Sequence, residues 1–241
     1  MLSVLAQEPR IAIDSLLFQW GRAGSFADVR EWPESVDAFE DLSFLLSSNY
    51  FNVGLAHVTL ADAAYLYGTV RDLPPGTLVE LGRFKGGTTF LLAAAMHPQS
   101  ALFSYDLHGD APGIFGSAEL DAELAAALDR YGLAGRVRLL VTDTHSAEAP
   151  AEQCDFVFVD ADHSYENVRA DYEHWRPVIP RGGHLLFHDA YEEGPGRLVP
   201  EIERDDGDHW QRLPASGSIA HFVRTEVAAH WDRPREFGGR G

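Results

Sequence analysis

The stretch TLVELGRFKGGTTFLL, residues 77–92, reads as an apolar strand, a turn holding three glycines, and the opening of a helix. A five-residue apolar run rich in branched side chains suits a strand buried on both faces. The glycines after it let the chain reverse tightly before the helix begins. Working outward, the same unit recurs. Residues 101–105, 136–142, 154–160 and 183–188 read as further strands, and 87–97, 117–131 and 164–177 read as the helices between them. Strands alternating with helices predict a parallel sheet with right-handed crossovers, covered by helices on both faces. Beyond Asp189 the pattern changes to a short helix near 196–204 and two strands, 209–213 and 218–224, joined by Pro-Ala-Ser-Gly. That arrangement predicts a terminal antiparallel hairpin.

The first 75 residues show no parallel-strand pattern; 36–48 and 58–71 read as helices, and Pro74-Pro75-Gly76 marks the break before the sheet. We therefore expect three parts: a helical cap over 1–75, a core over 76–225, and a polar, disordered tail over 226–241. The N-terminal aromatics Phe18, Trp20, Tyr50 and Phe51 suit core packing, with a lid or a subunit interface as the alternative use. A chain of 241 residues with 45% hydrophobic side chains is long enough for one large domain. No apolar run reaches the roughly 18–20 residues of a membrane span. The opening MLSVLAQEPR lacks the basic and apolar segments of a secretory leader, and one cysteine, Cys154, cannot close an internal disulfide. The expectation is a reducing cytoplasm. A formal charge of -18 should repel phosphate backbones and anionic membranes, so neither nucleic acid nor a membrane is expected as a partner.

Ligands in open α/β sheets sit at the carboxyl ends of the strands. The turn here has Glu80, Gly82, Gly86 and Gly87 in the spacing E-x-G-x-x-x-G-G, which matches neither G-x-G-x-x-G nor a phosphate-binding P-loop. This motif resembles the first motif of class I S-adenosylmethionine-dependent methyltransferases. The following strand, ALFSYD, ends in Asp106, as the second strand of that family ends in an acid. The resemblance implies a Rossmann-like α/β fold with the terminal hairpin already read over 209–224. It also implies a cofactor site in which Glu80 lies near the methionine end, Gly82, Gly86, Gly87 and Thr88 make room for it, and Asp106 accepts from the ribose hydroxyls. Leu107 would lie against the adenine, with Asp143 and Thr144 bordering it, and Asp160 would close the site.

Two further strands end in polar groups. Asp160, Asp162 and His163 follow the fourth, and His188 and Asp189 follow the fifth. Neighbouring parallel strands bring their ends side by side, so these groups should share one cleft. Carboxylates suit magnesium, whereas imidazole tilts a site toward manganese, iron or zinc. Asp162, before SYENV, also reads as a cap on the next helix. The run DFVFVDADHSYENVRADYEHW followed by RGGHLLFHD is similar to the branch containing macrolide-sugar and nucleotide-sugar O-methyltransferases and cephalosporin-biosynthesis relatives. That resemblance implies Asp160 and Asp189 as metal ligands and His163 as general base; His188 beside them either adds a ring nitrogen as a further metal ligand or lines the pocket. His188 is a departure, because the metal-dependent members carry an acid there.

These observations predict O-methyl transfer from S-adenosylmethionine to a sugar or natural-product hydroxyl, aided by magnesium or manganese. A metal-dependent hydrolase and a cofactor-binding module without catalysis are the rival readings. A homo-oligomer is left open. Lys85 reads as an exposed or carboxylate-pairing lysine, Cys154 as a buried apolar residue, and His108 and His145 as cleft-edge histidines.

Overall fold

The computed structural model describes residues 24–29, 31–46, 54–108 and 116–225. The expectations for Phe18, Trp20, Tyr50, Phe51 and the tail 226–241 lie outside these residues. The strands are β1 Thr77–Leu81, β2 Ala101–Asp106, β3 Val137–Val141, β4 Phe156–Val159, β5 His184–Phe187, β6 Trp210–Leu213 and β7 Ala220–Arg224. They form one sheet in the order β3-β2-β1-β4-β5-β7-β6, parallel from β3 to β5, with β7 antiparallel to both β5 and β6. The α-helices are α1 Ser43–Leu46, α2 Leu60–Arg71, α3 Gly87–Ala95, α4 Ala118–Arg130, α5 Tyr165–Trp175 and α6 Glu193–Asp205. The Rossmann-like sheet read from the sequence, with its antiparallel end, is the observed one.

Alternating side chains on the central strands build a core on each face. On β4, Phe156 and Phe158 join Phe90, Leu66 and Leu124 on one side of the sheet. Val157 and Val159 join Tyr172, Trp175 and Phe222 on the other. Phe26, Leu42 and Leu45 pack into the first of these clusters, so the described N-terminal residues share a core with α3 and α4.

Two helices differ from the sequence reading. Over 36–46 the chain forms a 3-10 turn, Phe39–Leu42, and then the single turn α1, and the last two residues of the expected helix lie outside the described residues. The Asp41 carboxylate accepts from the backbone nitrogens of Asp37 and Ala38, which holds Ala38 extended and delays the helix start. α6 begins at Glu193, three residues before the expected 196. The helix can start there because Pro195 falls in its first turn, where the missing N–H costs nothing.

The register sets up the site. Leu81 pairs with Tyr105 and Val159, and Val159 pairs with Phe187. The next residue of each strand therefore lies in one row across four strand ends: Asp106, Gly82, Asp160, His188. The row straddles β1 and β4, where the strand order reverses direction and an open α/β sheet forms its crevice.

Candidate active site

A cleft of about 560 Å³ opens over this row. Gly82, Gly87, Thr88, Asp106, Leu107, Asp143, Thr144, Asp160, His163, His188 and Asp189 all line it. Glu80 does not. Its side chain is fully buried beneath the turn, where Oε2 accepts from the Thr89 and Ser104 hydroxyls at 2.5 Å each and Oε1 has no hydrogen-bond partner. Burial raises its pKa to about 7. Gly86 caps α3 with φ 84° and packs against Leu124 rather than facing the cleft.

The turn depends on its backbone. Gly82 has φ 94°, a left-handed conformation that a side chain disfavours, and a Cβ there would collide with the Asp160 carbonyl oxygen. The turn closes on the second acid: Asp106 Oδ2 accepts from the backbone nitrogens of Arg83 and Phe84, both at 2.6 Å. Arg83 then inserts a fully buried guanidinium beneath, forked onto Asp121 of α4 at 2.7 and 2.8 Å and donating to the Ser104 carbonyl at 2.7 Å. Such a bidentate pair locks the geometry of turn and helix together. Lys85 is buried rather than exposed. Its ammonium lies 5.4 Å from the Phe84 ring centre, and burial lowers its pKa to about 8.

At the other end of the cleft, Leu107 keeps 54% of its surface exposed beside Asp106, an apolar face suited to a flat ring. Asp143, Thr144 and His145 follow β3 and face α5, whose Asn167 and Asp171 also line the cleft. Asp171 is buried with no hydrogen bond at either carboxylate oxygen, and His145 Nε2 stands 3.5 Å away. Burial raises its pKa to about 6. Sequence reading passed over Asn167 and Asp171, yet Val168, Asp171 and Trp175 are spaced i, i+3, i+7. An acid on that buried stripe was a legible signal. It also passed over His57, another residue of the cleft wall, and no spacing links His57 to the strand ends.

The histidine and acid cluster occupies the middle. Asp162 does not cap α5 as the sequence suggested: the N-cap is Ser164, and Asp162 Oδ1 instead accepts from the Ser164 nitrogen at 2.6 Å within the loop. His163 next to it turns back over the strand ends. Its Nδ1 meets Glu192 Oε2 at 3.0 Å, while Nε2 is buried without a hydrogen-bond partner, 3.8 Å from both Asp160 Oδ1 and Asp189 Oδ2. Contact with Asp160 raises its pKa. His188 is 95% buried at its side chain, with Nδ1 2.9 Å from Asp160 Oδ1 and 3.3 Å from Asp189 Oδ2. Burial by itself would lower the His188 pKa, but hydrogen bonding and charge from Asp160 and Asp189 outweigh it and raise the value to about 10. Asp189 sits at φ 47°, an uncommon left-handed backbone for a residue with a side chain.

This donor set fits a divalent ion. One donor atom each from Asp160, His163 and His188 lies within 4.8 Å of the others, as do donors from His163, Asp189 and Glu192. His163 leaves Nε2 buried with no hydrogen bond, His188 turns Nδ1 toward Asp160, and three of the convergent groups, Asp160, Asp189 and Glu192, are carboxylates. Cys154, at the far end of β4, is buried, and burial pushes its thiol up to about 12. It plays no part in this cleft.

Residues 79–190 match the family model described as a methyltransferase domain. The match covers a little under half of the chain, and the strand order and the glycine turn agree with it in giving a Rossmann-like methyltransferase fold. Among solved structures it is similar to the O-methyltransferase NovP, at 15% identity and a TM-score of 0.59, over 90% of this chain and 100% of that one. A methyltransferase from Geobacter sulfurreducens matches at 16% identity and a TM-score of 0.55, over 71% and 81%. The O-methyltransferase TomG from Streptomyces achromogenes, involved in tomaymycin synthesis and solved in complex with SAM, matches at 16% identity and a TM-score of 0.51, over 81% and 97%. The particular resemblance is thus to natural-product O-methyltransferases, at the level of fold.

Proposed function

We propose that this protein transfers the methyl group of S-adenosylmethionine to a hydroxyl oxygen of a small-molecule acceptor, a sugar or natural-product scaffold. The observation that carries this reading is the row Asp106, Gly82, Asp160, His188 across one cleft, with His163 Nε2 directed at its centre. The Gly82 to Thr88 turn, Asp106, Leu107 and Asp143-Thr144 are the residues that would hold the cofactor, with Asp106 available to its ribose and Leu107 to its base. Asp106 has Oδ1 left for a ribose hydroxyl, because the turn amides occupy Oδ2.

His163 is the base. Glu192 holds Nδ1, which fixes the ring and leaves Nε2 to take the proton of the acceptor hydroxyl. The oxygen then attacks the sulfonium methyl in line, the carbon–sulfur bond breaks, and S-adenosylhomocysteine leaves. Asp160, His188 and Asp189 would hold a divalent ion, which supplies Lewis acidity that stabilises negative charge on the acceptor oxygen. The remaining rate advantage comes from holding the two reactants at near-attack distance.

Replacing His163 with Ala should lower transfer by roughly 10²–10⁴-fold, the usual contribution of a positioned base, and leave S-adenosylhomocysteine binding unchanged. The assay is transfer of labelled methyl to a panel of hydroxylated acceptors, with calorimetry for the cofactor product. Full activity in the variant refutes the assigned base, and activity that survives EDTA removes the ion from the reaction.

A further inference from the structure

His188 brings a nitrogen donor to the centre of the cleft, and its two ring nitrogens meet different surroundings. Nδ1 faces Asp160 Oδ1 at 2.9 Å and Asp189 Oδ2 at 3.3 Å. Two donors bound at right angles to one ion, each by a bond of about 2.1 Å, stand about 3.0 Å apart. Without an ion the 2.9 Å contact is a hydrogen bond, and because its length is also that of adjacent ligands, a small divalent ion can take the place of the shared proton. His163 Nε2, at 3.8 Å from each of the same carboxylates, is too far to be adjacent in that sense and keeps its place as the base.

Nε2 of His188 points the other way. It is buried, makes no hydrogen bond, and lies 3.7 Å from Oδ2 of Asp62, a carboxylate with no exposed surface. Asp62 is itself held: the Thr59 nitrogen donates to Oδ2 at 2.9 Å and the Ser218 nitrogen donates to Oδ1 at 2.6 Å. A histidine that binds a metal through one nitrogen commonly directs the other toward a carboxylate, which sets the tautomer and strengthens the donor. Asp62, on the first turn of α2, is placed for that task.

The donor chemistry then selects the ion. Magnesium takes oxygen ligands almost exclusively and gives up water reluctantly, whereas imidazole suits the later first-row divalent ions. We propose that Asp160, Asp189 and His188 form a site for a divalent transition-metal ion, from manganese to zinc, in preference to magnesium. His188 is the selecting residue, and Asp62 positions it. This inference rests on the divalent ion of the proposed reaction and adds which class of ion the site holds.

The test uses the full chain freed of metal by dialysis against EDTA. Manganese is titrated by the loss of its free-ion electron spin resonance signal, magnesium is added as competitor, and cobalt is followed by its visible absorption. The expected result is manganese and cobalt binding at least ten-fold tighter than magnesium, with a cobalt spectrum shifted from that of the hydrated ion. Asp160→Asn should abolish the site, separating it from loose binding to the acidic surface. His188→Asp should bring magnesium to within a few-fold of cobalt, and Asp62→Asn should weaken cobalt binding by about 10-fold or more, the usual cost of losing such a partner. Magnesium displacing manganese at equal concentration overturns the inference in the unaltered protein, as does an unchanged preference in a folded His188→Asp variant. S-adenosylhomocysteine binding is measured beside these titrations. Cofactor binding without any cation binding overturns the ion site and leaves methyl transfer standing. A selective cation site without cofactor binding overturns methyl transfer and leaves the ion site standing.

Discussion

Glu80 lies in the middle of an apolar sheet with two hydroxyls on one carboxylate oxygen and no hydrogen bond on the other. Burial disfavours its charged form, so its carboxyl keeps a proton up to about pH 7 in the folded chain, against an ordinary value of 4.5. The folded state thus holds the extra proton between these values. Stability contributed by the neutral form is fully present below about pH 4.5 and is lost as pH rises through about 7. The loss is on the order of 3 kcal/mol. Glu80→Gln should remove this slope, so the gap between variant and parent in urea midpoint shifts in favour of the variant from pH 5 to pH 8. A gap that stays constant over that range would show that Glu80 does not titrate there. The sequence marks Glu80 as special by placing an acid in an apolar strand. It cannot say that the side chain turns beneath the turn instead of into the cleft, because that depends on Thr89 and Ser104 arriving from α3 and β2.

At the scale of elements, the glycine turn carries the greatest constraint. Gly82 combines a left-handed backbone with direct approach to the chain leaving β4, so β1, β4 and the turn are held at one spacing. A methyl group there cannot be accommodated by a rotamer change, because what it meets is the Asp160 carbonyl. Gly82→Ala should therefore destabilise the protein by about 2 kcal/mol or more and shift Asp160 enough to weaken cofactor binding at least ten-fold. Urea unfolding and calorimetry with S-adenosylhomocysteine measure both; unaltered values in the variant would mean the turn relaxes freely. The turn itself was legible, since strand, glycines and helix follow one another within sixteen residues. The buried fork between Arg83 and Asp121 was not, as thirty-eight residues separate its two ends.

For the whole molecule, the sheet order explains why one cleft serves two halves of the chain. β2 and β3 run outward from β1 on one side, β4 and β5 on the other, and the gap between β1 and β4 is the place where open α/β sheets take their ligands. A ligand that bridges those halves binds only the folded state. S-adenosylhomocysteine at about 100 times its dissociation constant should add about 2.7 kcal/mol, which for a chain of this size raises the melting temperature by about 5–10 °C. A melting curve unmoved at that excess counts against every reading that gives this cleft to S-adenosylmethionine. No helix among the described residues is long and apolar enough to cross a membrane, and the charge of -18 leaves the surface strongly anionic. An ionic acceptor would then be drawn in more readily if cationic than if anionic.

The alternation of strand and helix, the glycine turn and the acids at strand ends are local patterns, written within a few residues of one another. Periodicity and turn chemistry suffice to read them, and so the sequence by itself determined the sheet, its antiparallel end and the edge that carries the site. It also brought Asp160, His188 and Asp189 to one cleft, because parallel neighbours must end together. Tertiary structure alone decided the rest: that Glu80 faces the core, that Glu192 holds His163, and that Asp62, one hundred and twenty-six residues from His188, stands behind its second nitrogen. Those contacts come from helices and loops whose approach is set by packing on the sheet, and packing between distant segments leaves no period in the chain to read.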